Sequence, residues 1–172
     1  MYKYDTKKFP FQNLVKAVFQ VEDLEKLHTH YNYPTGMCTM EDNSNSLYHQ
    51  RFYDKLRTGW VEFIDVYENF IKEVVTDTVE EYFIFQTTPT LRVHLVGNWA
   101  TPEFHCDSQA GYNHPDGEIN FIIPLTECYD TNSLWLESKQ GAGDYKPVAM
   151  ENGDLFKFYG NTCRHGNKVN VT

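Results

Sequence analysis

The spacing of apolar residues divides the chain into two halves. Between about residues 20 and 80 they recur at three- and four-residue intervals. Val21-Glu22-Asp23-Leu24-Glu25-Lys26-Leu27 opens a short amphipathic helix with acids in its first turn, where the helix dipole favours them. Tyr33-Pro34-Thr35-Gly36 and the polar run from Glu41 to Ser46 then read as a loop. From about Ser46 to Val79, Trp60, Phe63, Ile64, Tyr67, Phe70, Ile71, Val74 and Val75 build one broad apolar helical face, and Gly59 breaks it into two helices.

From residue 82 the period changes to two. Tyr82 to Gln86, Leu91 to Val96, Glu118 to Leu125, Ser133 to Glu137 and Leu155 to Tyr159 are rich in β-branched and aromatic residues. Gly, Pro, Asn or Asp bound them, so each reads as a strand. Short strands with no helical pattern between them predict an antiparallel barrel or jelly roll rather than a parallel sheet. The expectation is a single α+β domain over 1–172, with helical support over 1–80 and a β core over 82–172.

Composition narrows the classes of function. The 172 residues suffice for one domain with a sizeable core. Fifteen basic against 24 acidic residues give a net charge of -9, which repels phosphate backbones, so no nucleic-acid partner is expected. No apolar run approaches the roughly 20 residues that span a bilayer, so no membrane association is expected. The first residues, MYKYDTKKFPFQN, lack the apolar stretch of a secretory signal. Cys38, Cys106, Cys128 and Cys163 show no Cys-x-x-Cys spacing, and reduced thiols in a cytoplasmic protein are the expectation.

The candidate chemistry lies in TPEFHCDSQAGYNHPDG, residues 101–117, which contains two His-x-Asp triplets. Neither is significant alone. His114-Pro115-Asp116-Gly117 follows Gly111-Tyr112-Asn113 and is turn sequence, better suited to a loop over a pocket mouth. Glu103-Phe104-His105-Cys106-Asp107 contains no breaker. If extended, it projects His105 and Asp107 from one face, roughly 6.6 Å apart at about 3.3 Å per residue, with Phe104 and Cys106 on the other. Both ligand side chains can then close on one metal ion.

A third ligand is offered by His165, just after the strand predicted at Leu155 to Tyr159. Two histidines and one carboxylate form the facial triad of non-haem Fe(II) oxygenases. His28, His30 and His49 lie in or near helices, and His94 shares a strand face with Arg92 and Val96. For these four, ordinary surface or core roles are at least as good a reading.

Four ordered stretches, LRVHLVGNWATPEFHCD, GEINFIIPLT, NSLWLES and GDLFKFYGNTCRHGN, resemble the Fe(II)/2-oxoglutarate-dependent oxygenases. The resemblance is closest to small members related to phytanoyl-CoA dioxygenase and to streptomycin-biosynthesis-type oxygenases, and it covers roughly residues 90–172. It implies a double-stranded β-helix (jelly-roll, cupin-like) with Fe(II) held by His105, Asp107 and His165. It also implies 2-oxoglutarate and O2 as co-substrates, and oxidative decarboxylation to succinate coupled to hydroxylation of a small molecule. Asp107 disfavours a halogenase, since family halogenases carry a small residue there.

The resemblance departs from the family at one point. Family members bind the distal carboxylate of 2-oxoglutarate with an arginine about ten residues beyond the second histidine. Here Lys168-Val169-Asn170-Val171-Thr172 reads as the opening of that strand, so the sequence is expected to stop one strand short. Arg92 is the chemical substitute, because a guanidinium can grip a carboxylate with two hydrogen bonds. Asn120 and Trp135, in matched strands, are expected to line the pocket, and the loops at 33–45 and 108–116 to shape specificity. Two other readings are a cupin-like metal-binding protein without oxygenase activity and a structural β-domain whose histidines are coincidental.

Overall fold

The computed structural model describes residues 1–36, 46–101, 103–112 and 114–172. Cys38 and the polar loop from Glu41 to Asn45 lie outside the described residues, as does Asn113. The described helices are α1 (Phe11–Phe19), α2 (Leu47–Arg57) and α3 (Val61–Phe70). A π turn over Ile71–Val75 and a 3-10 turn over Thr76–Thr78 extend α3. Gly59, at φ 85°, separates α2 from α3 as the sequence predicts. The short helix after Asp23 is a 3-10 turn, Leu24–Thr29, and the Asp23 carboxylate accepts its Glu25 N–H.

The apolar pattern read from residue 20 onward leaves out α1. Yet Phe11, Leu14, Val15 and Phe19 are spaced along one helical face and all four are buried. Gln20, in the left-handed region at φ 58°, ends the helix, its N–H donating to the Ala17 carbonyl and that of Val21 to the Lys16 carbonyl.

The described strands are β1 (Tyr2–Lys3), β2 (Asn120–Ile122), β3 (Trp135–Leu136), β4 (Lys146–Pro147), β5 (Asp154–Phe158) and β6 (His165–Gly166). They form two antiparallel three-stranded sheets, ordered β1-β5-β2 and β4-β3-β6. In the first sheet Asn120 lies opposite Phe158 and Ile122 opposite Phe156, so these four side chains share a face. Leu155 and Phe121 point the other way, into the apolar core formed with the helices. The helices therefore cover one face of this sheet and leave its other face free to build a site.

Two expected strands are corrected. Residues 82–86 and 91–96 carry no strand ladder. Alternation specifies an extended backbone but not a partner, and side chains supply the bonds instead. Tyr67 Oη donates to the Gln86 carbonyl at 2.7 Å, and the Leu91 N–H donates to Tyr53 Oη at 2.9 Å. Tyr82 and Ile84 are fully exposed.

The core between helices and sheet is aromatic. Phe70, 1% exposed, meets Tyr4, Phe9 and Phe11 edge-to-face at ring-centre distances of 5.1, 5.3 and 5.2 Å. It joins the N-terminal segment to α3. Phe70→Ala is expected to destabilise the fold by about 3–5 kcal/mol, read from the midpoint of urea unfolding.

His49 on α2 is buried, with Nδ1 2.7 Å from Ser46 Oγ. Burial, reinforced by the Arg92 charge, lowers its pKa to about 4. The unfolded chain therefore takes up a proton near pH 6.5 that the folded chain refuses until about pH 4. The stabilising effect of a neutral His49 is complete above pH 6.5 and lost as pH falls through that window, by at most about 3 kcal/mol. His49→Gln is expected to flatten this part of the stability–pH curve, measured by denaturant unfolding at pH 7 and pH 4.5.

Candidate metal centre

The geometry of the centre starts from one backbone pairing. His105 and His165 face each other across an antiparallel bridge, and each N–H donates to the other's carbonyl at 2.9 Å. Directly opposed residues of such a pair present their side chains on the same face. Leu136 of β3 lies opposite His165 on its other side, so Leu136, His165 and His105 form a row across one face. Two residues on, the Asp107 N–H bonds instead to the Gly160 carbonyl at 2.9 Å, just past the end of β5. The stretch from 105 to 107 thus passes from one sheet to the other, and the ligand side chains meet between them.

Asp107 Oδ1 lies 3.4 Å from His105 Nε2 and 3.5 Å from His165 Nε2. The three residues are 4%, 6% and 7% exposed, respectively. His105 Nδ1 lies 2.7 Å from the Glu103 carbonyl, and His165 Nδ1 lies 3.1 Å from the Cys163 carbonyl. A carbonyl only accepts, so both Nδ1 atoms carry the proton and both Nε2 lone pairs are free in the neutral rings. Burial lowers the His165 pKa below the ordinary histidine value, although its bond to Cys163 opposes this, which favours the neutral ring.

Three lone-pair atoms thus converge in a buried space at separations too long for hydrogen bonds between them. An ion bound at about 2.1 Å sets neighbouring ligand atoms about 3.0–3.4 Å apart, close to what is found. The donor set fits a divalent transition metal, for which imidazole and carboxylate are suitable ligands.

The supporting residues are mostly ones that sequence reasoning missed or placed less closely. Asn120 Nδ2 donates to Asp107 Oδ2 at 3.1 Å. A Cβ on Gly160 would sit 2.0 Å from Asp107 Oδ2 and 2.6 Å from Asn120 Oδ1, so only a bare Cα leaves room for the carboxylate. Gly166 likewise allows residues 103–104 to approach, since a Cβ there would lie 3.0 Å from the Phe104 Cα. Tyr112 stacks on His105 with ring centres 4.0 Å apart and planes 5° from parallel. Phe158 meets the His165 ring edge-on at 5.1 Å. Both glycines stand in the quoted stretch GDLFKFYGNTCRHGN, but which of them makes room for a ligand becomes visible only with the partner segments in place.

Arg92 is exposed. Desolvation lowers its pKa, and the charges of Tyr53 and Asp107 oppose that shift, which places it within electrostatic reach of the centre. Trp135 is on the other face of β3 from the His165 row, so it does not line the centre. Its indole N–H donates to the Asp130 carbonyl at 2.9 Å, and Lys168 Nζ lies 3.3 Å from its ring centre. Leu136 has the inward position that the sequence reading gave to Trp135.

The second triplet separates. Asp116 is exposed, whereas His114 lies near the centre: its N–H donates to the Asp107 carbonyl at 3.1 Å, and its Nδ1 is 3.0 Å from both Glu118 oxygens. Asp107, His114 and Glu118 form a second, more open grouping with metal-ligand potential that shares Asp107 with the first. His94 is turned elsewhere, with Nε2 2.8 Å from the Asn98 carbonyl.

Gly160→Ala is expected to displace the Asp107 carboxylate while leaving all three ligands in the sequence. Metal affinity should fall at least about tenfold, measured by titration with metal content as a control, while far-ultraviolet circular dichroism keeps its folded shape.

No helix among the described residues is long and apolar enough to cross a membrane. No protein-family model matches the chain, and no solved structure matches it. Among curated proteins it is similar to the streptomycin biosynthesis protein StrG of Streptomyces griseus, with 35% identity over 171 residues. That similarity covers 99% of this chain and 76% of the relative. On that identity and coverage, the chain belongs to the family of the streptomycin biosynthesis protein StrG.

Proposed function

We propose that this chain is an Fe(II)- and 2-oxoglutarate-dependent oxygenase that hydroxylates a small molecule in a biosynthetic route. The biosynthetic part rests on the relative, which is named for streptomycin biosynthesis. The oxygenase part rests on one observation: His105 Nε2, His165 Nε2 and Asp107 Oδ1 face one another in a buried space, with both Nδ1 atoms already engaged. Two imidazoles and one carboxylate leave an iron ion with open positions, as oxygenase chemistry requires. In this reading the two three-stranded sheets are parts of a double-stranded β-helix.

The protein's own groups have distinct tasks. Glu103 and Cys163 orient the two imidazoles through their carbonyls. Tyr112 and Phe158 cover the ring faces and limit water. Arg92 supplies a positive charge within electrostatic reach of Asp107, suited to a carboxylate of 2-oxoglutarate. Iron, when bound, supplies the activation of O2 that couples decarboxylation of 2-oxoglutarate to substrate oxidation.

A cupin-like metal-binding protein without oxygenase activity is the second reading, since two imidazoles and one carboxylate suit other divalent metals as well as iron. The two differ in one measurement. Fe(II) and 2-oxoglutarate added together without oxygen should give the visible charge-transfer band of the chelate, and Arg92→Leu should weaken 2-oxoglutarate binding at least about tenfold. Iron bound with no band on adding 2-oxoglutarate would leave the second reading standing.

A further inference from the structure

The two oxygens of Asp107 have different surroundings. Oδ1 faces both Nε2 atoms, whereas Oδ2 accepts from Asn120 Nδ2 at 3.1 Å. Asn120 is held in turn by the Gly160 N–H, which donates to its Oδ1 at 2.9 Å. The Asp107 N–H donates to the Gly160 carbonyl at 2.9 Å, closing a ring of three hydrogen bonds through Asp107, Asn120 and Gly160. The ring also fixes which way the amide points. A backbone N–H can only donate, so the end facing Gly160 is the amide oxygen, and the NH2 group faces the carboxylate.

Strand geometry keeps Asn120 in this place. It is the first residue of β2, opposite Phe158, and Phe158 abuts the His165 ring. The same sheet register therefore places a ligand's neighbour and the residue that grips Asp107 on one face. A carboxylate with no donor on its second oxygen is free to turn and bind a metal through both, taking up an additional coordination position.

We propose that Asn120 is a positioning residue that holds Asp107 Oδ2 so that only Oδ1 is offered to the metal, keeping the rest of the coordination sphere open to small ligands. This inference rests on the metal-centre reading above.

The test uses the full chain with Co(II) as probe, since its visible spectrum responds to the number and geometry of ligands. Asn120→Ala removes both amide contacts. Asn120→Asp keeps the shape and the acceptor for the Gly160 N–H but loses the donor to Asp107. Both variants are expected to bind Co(II) about 10- to 100-fold more weakly than the parent, with an altered visible band. Thermal melting reports whether each variant folds, and Asn120→Asp decides the matter if Asn120→Ala does not. Should Asn120→Asp match the parent in affinity and band, Asn120 merely secures Gly160 and the proposal is overturned. If the parent itself takes up no Co(II), or keeps it after His105→Ala, the metal reading fails and the clamp with it. That outcome is distinct from a parent that binds normally beside unaffected variants.

Discussion

The reciprocal hydrogen bonds between His105 and His165 are the constraint on which the rest of the centre depends. They make two residues 60 positions apart into direct neighbours on one face. A slip of one residue in that pairing would turn one imidazole away, because side chains alternate along a strand. Gly166 has no Cβ to hold the two backbones apart, and the Glu103 and Cys163 carbonyls then orient the rings. Ligand geometry is thus set by backbone, with side chains making the final adjustment.

The sheets and helices divide the work. One face of the β1-β5-β2 sheet meets the aromatic helical core, where Leu155 is fully buried. Its other face carries Asn120 and Phe158 toward the ligands. Packing on one side therefore holds the strand that positions chemistry on the other. Ligand geometry of this kind needs rigid support, because small displacements of a ligand cost affinity steeply.

Much of this was legible in the sequence, for identifiable reasons. The unbroken stretch from Glu103 to Asp107 foretold two side chains on one face, and Gly59 foretold the break between α2 and α3. The turn character of His114 to Gly117 set Asp116 aside, though His114 comes closer to the centre than turn sequence suggests. That 82–86 and 91–96 form no strand ladder was not legible, because alternation is satisfied by any extended segment whether or not it finds a partner strand. Trp135 and Leu136 could not be told apart without the register to β6, since parity decides facing only once a partner is known. The helix α1 was readable from Phe11, Leu14, Val15 and Phe19, but the basic and proline-containing stretch before it masks its start.

The bare Cα at position 160 has a consequence for interpreting relatives. A homologue can retain both histidines and the aspartate, pass any inspection for its coordinating residues, and still lack the space they need because a methyl group has been added nearby. Room for these three side chains is thus recorded partly by an atom that is not there, and a site of this kind can be lost without losing a single one of them.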